Sequence, residues 1–223
     1  MPAEAGSGAP AFRLAVLDFD GTLADSFGWF CGVLNGVAER YGFRPVEPGE
    51  IEDLRGLPAG EIVRRLRVPR WKLPAIAAHM HALAARDIER IRLFPGVPRM
   101  LGDLAAGGMT LTILSSNTRA NVVQVLGVEN AARIDRFACG ASLFGKARRL
   151  ERLVARCGVA PAQVLCLGDE LRDLDAARSV GCAFGAVAWG YTRAEALAAA
   201  GPDFLFPQPG AVAPMLELER SPA

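Results

Sequence analysis

Apolar positions along this chain of 223 residues fall into two rhythms, and the change between them divides it. Leu14 to Leu17 is a continuous apolar run of strand length. From Phe27 the spacing turns helical: Phe27, Phe30, Leu34, Val37 and Tyr41 share one face, and Gly42 stands where that helix should end. Gly28, Gly32 and Gly36 recur every fourth residue on it, a stripe that would let another helix approach closely. Gly56 and Pro58 mark a loop over 53–58, followed by a short helix through Ile62, Val63 and Leu66. Pro74 suits a helix start, and Ala77, Met80, Ala84, Ile88 and Ile91 mark one face of a long helix. Residues 25–94 thus read as helix and loop throughout, an insert between the first strand and all that follows.

From Phe94 onward strands alternate with helices. Strands are expected near 109–114, 137–139, 164–167, 182–188 and 203–206. Between them lie helices through Met100, Leu101 and Leu104, and over 119–126, 146–157, 171–180 and 193–200. This alternation predicts an α/β fold, a doubly wound parallel sheet with helices on both faces. Ligands of such sheets bind beyond the carboxyl ends of the strands.

Composition narrows the classes. Half of the residues are apolar, 51%, so the chain can bury a sizeable core. A net charge of +1 offers no electrostatic case for nucleic acid or an anionic membrane. No apolar run reaches membrane-spanning length, and residues 1–10 lack the pattern of a signal peptide. The expectation is a cytoplasmic protein, monomer or homodimer, with a flexible tail over 1–11. Five scattered cysteines, an odd count, read as reduced and buried. His79 and His81 diverge by roughly 200° on a helix, so they cannot share an ion and read as surface residues.

Candidate chemistry gathers at strand ends. The first apolar run stops in Asp18-Phe19-Asp20-Gly21-Thr22. Alternation along an extended chain points Asp18 and Asp20 the same way. Two crowded carboxylates need a cation between them or a proton on one. The same residues also suit an ordinary turn. Ser115-Ser116-Asn117-Thr118 follows the strand near 109–114 and opens a helix, which makes either a phosphate cradle or a plain N-cap. Gly168-Asp169-Glu170-Leu171-Arg172-Asp173 ends another strand in carboxylates, or simply starts an acidic helix. Lys146, one of two lysines, heads a basic helix, either to neutralise an anion or as part of a solvated face. Residues 140–146 fit the opening of a P-loop, but Ala147 stands where that loop needs Ser or Thr.

Taken together, Asp18-x-Asp20-Gly21-Thr22, Ser115, Lys146 and Gly168-Asp169-x-x-x-Asp173 resemble the haloacid dehalogenase superfamily, in its phosphoglycolate phosphatase-like group with a helical cap. The resemblance spans residues 12–206 and implies a core domain at 12–24 and 95–223 with a cap domain at 25–94. It implies a magnesium-dependent phosphatase acting on a small phosphorylated metabolite through an aspartyl-phosphate. Asp18 would be the nucleophile and Asp20 the acid and base, its pKa raised by its carboxylate neighbour. Magnesium would take Asp18, the Asp20 carbonyl, Asp169 and Asp173. Ser115, Ser116, Asn117 and Lys146 would bind phosphate, and the cap loop at Arg55 and Gly56 would read the rest of the substrate, with Arg64 and Arg65 as weaker candidates. A phosphomutase, a phosphonatase using Lys72 as the cap lysine, and a non-catalytic phosphometabolite-binding regulator are the competing readings.

Overall fold

The computed structural model describes residues 12–140 and 145–217. The tail expected at 1–11 and part of the P-loop-like stretch lie outside the described residues. Among these, six strands form one parallel sheet in the order β5-β4-β1-β6-β7-β8. They are β1 (Leu14–Leu17), β4 (Thr110–Leu114), β5 (Arg136–Ala138), β6 (Val164–Gly168), β7 (Ala183–Val187) and β8 (Phe204–Phe206).

The central strand β1 is apolar throughout because helices cover both of its faces. Ala15 and Leu17 join Met100, Leu101 and Leu104 of α5 (Val97–Ala106) and Val122 of α6 (Arg119–Ala131). Leu14 and Val16 point oppositely, to Leu150, Leu153 and Val154 of α7 (Lys146–Cys157) and Leu174 and Ala177 of α8 (Leu171–Val180). On α7 the apolar positions form a single stripe and the arginines take the outer face. Beyond α8 the chain adds α9 (Ala194–Ala199) and α10 (Val212–Met215). Strand order reverses at β1, with β4 and β5 to one side and β6, β7 and β8 to the other. That switch opens a crevice beyond the carboxyl end of β1, where Asp18 follows directly.

Next comes a two-stranded antiparallel ribbon, β2 (Ala24–Asp25) with β3 (Arg92–Leu93). The chain between them, here called the cap, holds α1 (Phe27–Tyr41), α2 (Ile51–Leu54), α3 (Ala59–Arg65) and α4 (Leu73–Arg86). It packs around Val37, Ala38, Phe43, Val46, Leu54 and Leu66. The cap is also tied to the sheet side beyond this ribbon. Arg55 donates to the carbonyls of Tyr191 and Gly190 at 2.8 and 3.0 Å, and Asn121 donates to the His81 carbonyl at 3.1 Å.

Several expectations change. The long helix with Ile88 and Ile91 on its face stops at Arg86: Asp87 leaves helical angles and accepts from the Trp29 indole, and a 3-10 turn carries Ile88 inward. The glycine stripe of α1 meets no partner helix; Gly28, Gly32 and Gly36 are exposed, with open space where a Cβ would project. α6 breaks where expected, at Gly127, whose φ of 72° and ψ of 167° lie outside the helical region. All five cysteines are free, but only Cys166 and Cys182 are buried; Cys31, Cys139 and Cys157 are half-buried. No described helix is long and apolar enough to cross a membrane.

Candidate active site

The tight turn after β1 builds the site. Gly21 has φ +79°, a conformation that L side chains rarely adopt, and any Cβ there would collide with the Asp169 carboxylate. Its absence lets the turn and the end of β6 close on each other. Thr22 Oγ1 then donates to Asp169 Oδ1 at 2.8 Å, and the Tyr191 N–H donates to Asp169 Oδ2 at 2.8 Å.

Asp18, Asp169 and Asp173 are buried, and an oxygen from each lies within 4.8 Å of the others. Lys146 enters from the head of α7 and bridges Asp18 Oδ1 at 2.9 Å and Asp173 Oδ1 at 2.6 Å. Among the described residues the buried Asp173 Oδ2 finds no hydrogen-bond partner. Burial lifts Asp18 to a pKa of about 7, Lys146 pulling it down and Asp173 pushing it up. Burial also raises Asp169 well above the ordinary range, and Glu170, Asp18 and Asp173 add to it. For Lys146 burial disfavours the charge, but Asp173 and Asp18 reverse this and its pKa is raised. Lys146 and Arg172 face Asp18, Asp169, Asp173 and Glu170, so the cluster is short of positive charge. Hard oxygen donors, an orphaned buried oxygen and excess negative charge together fit a divalent cation.

Asp20 stands apart from this cluster. Its carboxylate accepts from Ser26 Oγ and Asn117 Nδ2, both at 3.0 Å, and Ser26 shares a 2.9 Å hydrogen bond with the Tyr191 hydroxyl. Its pKa is raised, as expected, but the cause is burial rather than its carboxylate neighbour; Asn117 and Ser26 work against the rise. Physically, the turn aims Asp18 down toward Lys146 and Asp20 up toward the cap, so the two are not the facing pair that strand alternation implies.

The phosphate-loop candidates converge here. Ser115 is buried and its Oγ accepts from the Asn117 N–H at 3.0 Å; Ser116 is half-buried. Asn117 Oδ1 accepts from the Thr118 N–H and from Asn121, which fixes the amide toward Asp20. Thr118 caps α6, accepting from the Asn121 N–H. Arg55 reaches the site's edge with its guanidinium occupied by the Gly190 and Tyr191 carbonyls and Glu52, 4.7 Å over the Phe27 ring. Gly56 packs against Arg193, and Arg64 and Arg65 pair with Glu61 on α3.

Sequence reasoning missed Thr22, Ser26, Tyr191, His81 and Arg172 as members of the site. His81 is not a surface residue: it is half-buried beside Asp20, which partly offsets the lowering of its pKa by burial. His79 turns instead to the Tyr41 ring, 5.6 Å between centroids. Arg172 pairs with Glu170 at 2.6 Å, and its buried Nε has no partner among the described residues. Tyr191 follows β7, and its position past a strand end was the available signal.

These carboxylates, the lysine and the serine loop meet at the switch point of a parallel sheet, and the profile of the haloacid dehalogenase-like hydrolases matches residues 15–187. The chain belongs to that family. It is 35% identical over 197 residues to a phosphoglycolate phosphatase of Synechococcus elongatus, covering 87% of this chain and 92% of that one. A tyrosine-protein kinase, PtkA of Mycobacterium tuberculosis, is 28% identical over 82% of this chain and 64% of its own. Among solved structures, a haloacid dehalogenase-like hydrolase from Streptococcus pneumoniae superposes with a TM-score of 0.75 at 20% identity, covering 92% of this chain and 98% of that chain.

Proposed function

We propose that the protein is a magnesium-dependent phosphatase that hydrolyses a small phosphomonoester through an aspartyl-phosphate. The observation that carries this reading is Lys146 bridging Asp18 and Asp173 beside Asp169, a buried cation set against one candidate nucleophile. Magnesium held by Asp18, Asp169, Asp173 and the main-chain carbonyl of Asp20 would keep Asp18 ionised and offset the charge of the phosphate.

An Asp18 oxygen attacks phosphorus, the bond from phosphorus to the alcohol oxygen breaks, and Asp20 gives its proton to that leaving oxygen. Burial raises the pKa of Asp20, which suits an acid that must hold a proton at neutral pH. In the second half Asp20 takes a proton from water as the water oxygen attacks phosphorus. The bond to Asp18 breaks and inorganic phosphate leaves. Ser115, Ser116 and Lys146 bind the non-bridging oxygens, and Asn117 orients Asp20. The relative in Synechococcus elongatus makes phosphoglycolate one candidate substrate.

Lys72 speaks against a phosphonatase. Its ammonium donates to the Tyr41 carbonyl at 2.6 Å and lies against the Trp71 ring, and it does not line the cavity over the site. The test is phosphate release from para-nitrophenyl phosphate and a panel of small esters, with magnesium and then with EDTA. Turnover is expected to need the metal and to fall at least a thousandfold in Asp18→Asn, roughly the loss seen when a covalent nucleophile is removed. Normal turnover in that variant would rule out the covalent route.

A further inference from the structure

Above Asp20 the cap lines a half-open cavity of about 340 Å3. Asp20, Asn117, Glu170, Arg172 and Tyr191 are among the residues lining the end toward the sheet, and the lining from the cap lies between Phe27 and Ala84. Leu34, Ile51, Ile62, Ile76 and Met80 point into it and are only half-buried, although they are apolar and face the cap interior. Helices of this composition normally close on one another to the density of an organic crystal. Here the side chains face a shared space instead. The charged groups on its wall stand toward the sheet: Arg172 pairs with Glu170, His81 lies beside Asp20, and Arg55 is committed to Gly190, Tyr191 and Glu52, while the rest of the cap wall, the Cys31 thiol apart, is apolar. A carboxylate carried past these groups into the apolar part of the cap would lose its hydration without gaining a partner.

We propose that this cavity holds the apolar part of the substrate, so that the enzyme hydrolyses the phosphomonoester of an apolar alcohol. The inference rests on the phosphatase reading above and names the substrate class of that same site. The phosphate sits at Asp18 and the hydrocarbon runs past Asp20 into the cap. An apolar cavity of about 150 Å3 takes up benzene, so this one has room for roughly a dozen carbon atoms. Size, apolar lining and a few polar groups at one end are the usual attributes of a small-molecule pocket. Cap closure over such a chain excludes water from the reacting phosphorus.

The experiment is kcat/KM for the full chain with magnesium on methyl, butyl, hexyl and decyl phosphate and on phosphoglycolate. The value is expected to rise about three- to fourfold per added methylene over the shorter chains, the factor that burying one methylene supplies. Phosphoglycolate should fall below butyl phosphate. Ala77→Phe and Ile62→Trp, which fill the space, should each lower the ratio of hexyl to methyl phosphate at least tenfold. If either variant fails to fold by circular dichroism, the chain-length series on the unaltered protein decides alone. Turnover that is flat or falls with chain length, or highest on phosphoglycolate, overturns the apolar substrate and leaves the phosphatase intact. No magnesium-dependent turnover of any ester overturns both.

Discussion

Gly21 carries more of this site than its lack of a side chain implies. Two independent constraints meet there: a φ of +79° and the Asp169 carboxylate in the space that a Cβ would occupy. Gly21→Ala should therefore destabilise the fold by about 1–3 kcal/mol, the usual scale for a strained backbone position. It should also displace Asp169 and with it the three-carboxylate cluster. A urea titration would read the first effect, and the magnesium concentration for half-maximal turnover should rise at least tenfold. A variant with wild-type values of both would show that the turn tolerates a side chain. At this scale the motif residues were legible because Asp18, Asp20, Asp169 and Asp173 sit next to apolar runs that must be strands. The partners of Asp20 were not: Asn117 reaches it across 97 positions, and Tyr191 reaches Ser26 across 165.

Among the elements, α7 and α8 match their expected bounds because one apolar stripe and a terminal glycine define each. α4 does not: Asp87 found a better partner in the Trp29 indole than in another helical turn, and periodicity alone ran on through Ile88 and Ile91. The element with the clearest mechanical role is the short α2, whose final turn leads into Arg55. Its guanidinium, three-quarters shielded, satisfies the carbonyls of Gly190 and Tyr191 and so fastens the cap to the loop after β7. Arg55→Met keeps most of the packing over Phe27 and removes the donors. Leaving those carbonyls unpaired should cost about 1–3 kcal/mol. The altered protein should also be cut faster by protease between β2 and β3, with KM raised more than kcat is lowered. Unchanged proteolysis and KM would mean that the latch does not hold the cap.

The charge distribution of the whole molecule sets its response to pH. Its net charge of +1 conceals a largely buried cluster in which Lys146 and Arg172 oppose Asp18, Asp169, Asp173 and Glu170. Asp18 is raised from 3.8 to about 7 in the folded chain, chiefly by burial. A carboxyl that binds its proton more tightly when folded adds stability below its unfolded pKa and loses it as pH rises through the folded one. The raised pKa values of Asp20 and Asp169 act in the same direction. Metal-free protein should thus lose on the order of 2–3 kcal/mol between about pH 5 and about pH 8. That is roughly 5–10 °C in melting temperature for a domain of this size. Magnesium bound to the ionised native cluster, as proposed above, should shrink the difference. Calorimetric melts in EDTA and then in magnesium read it directly, and a melting temperature that climbs with pH in EDTA would contradict the cluster's description.

What the amino-acid order determined by itself was local: where strands and helices lie, since apolar periodicity and terminal glycines act over a few residues, and which carboxylates stand at strand ends. The parallel sheet followed from the alternation of those elements. Tertiary structure alone decided the pairings and the spaces. Lys146 meets Asp18 and Asp173 because β1 and β6 are neighbours in register, and His81 turns inward because α4 crosses above the crevice. The hollow of the cap has no signature in periodicity. An apolar stripe records that a helix buries a face, while the distance left between buried faces is set by how the helices pack and how their loops hold them apart.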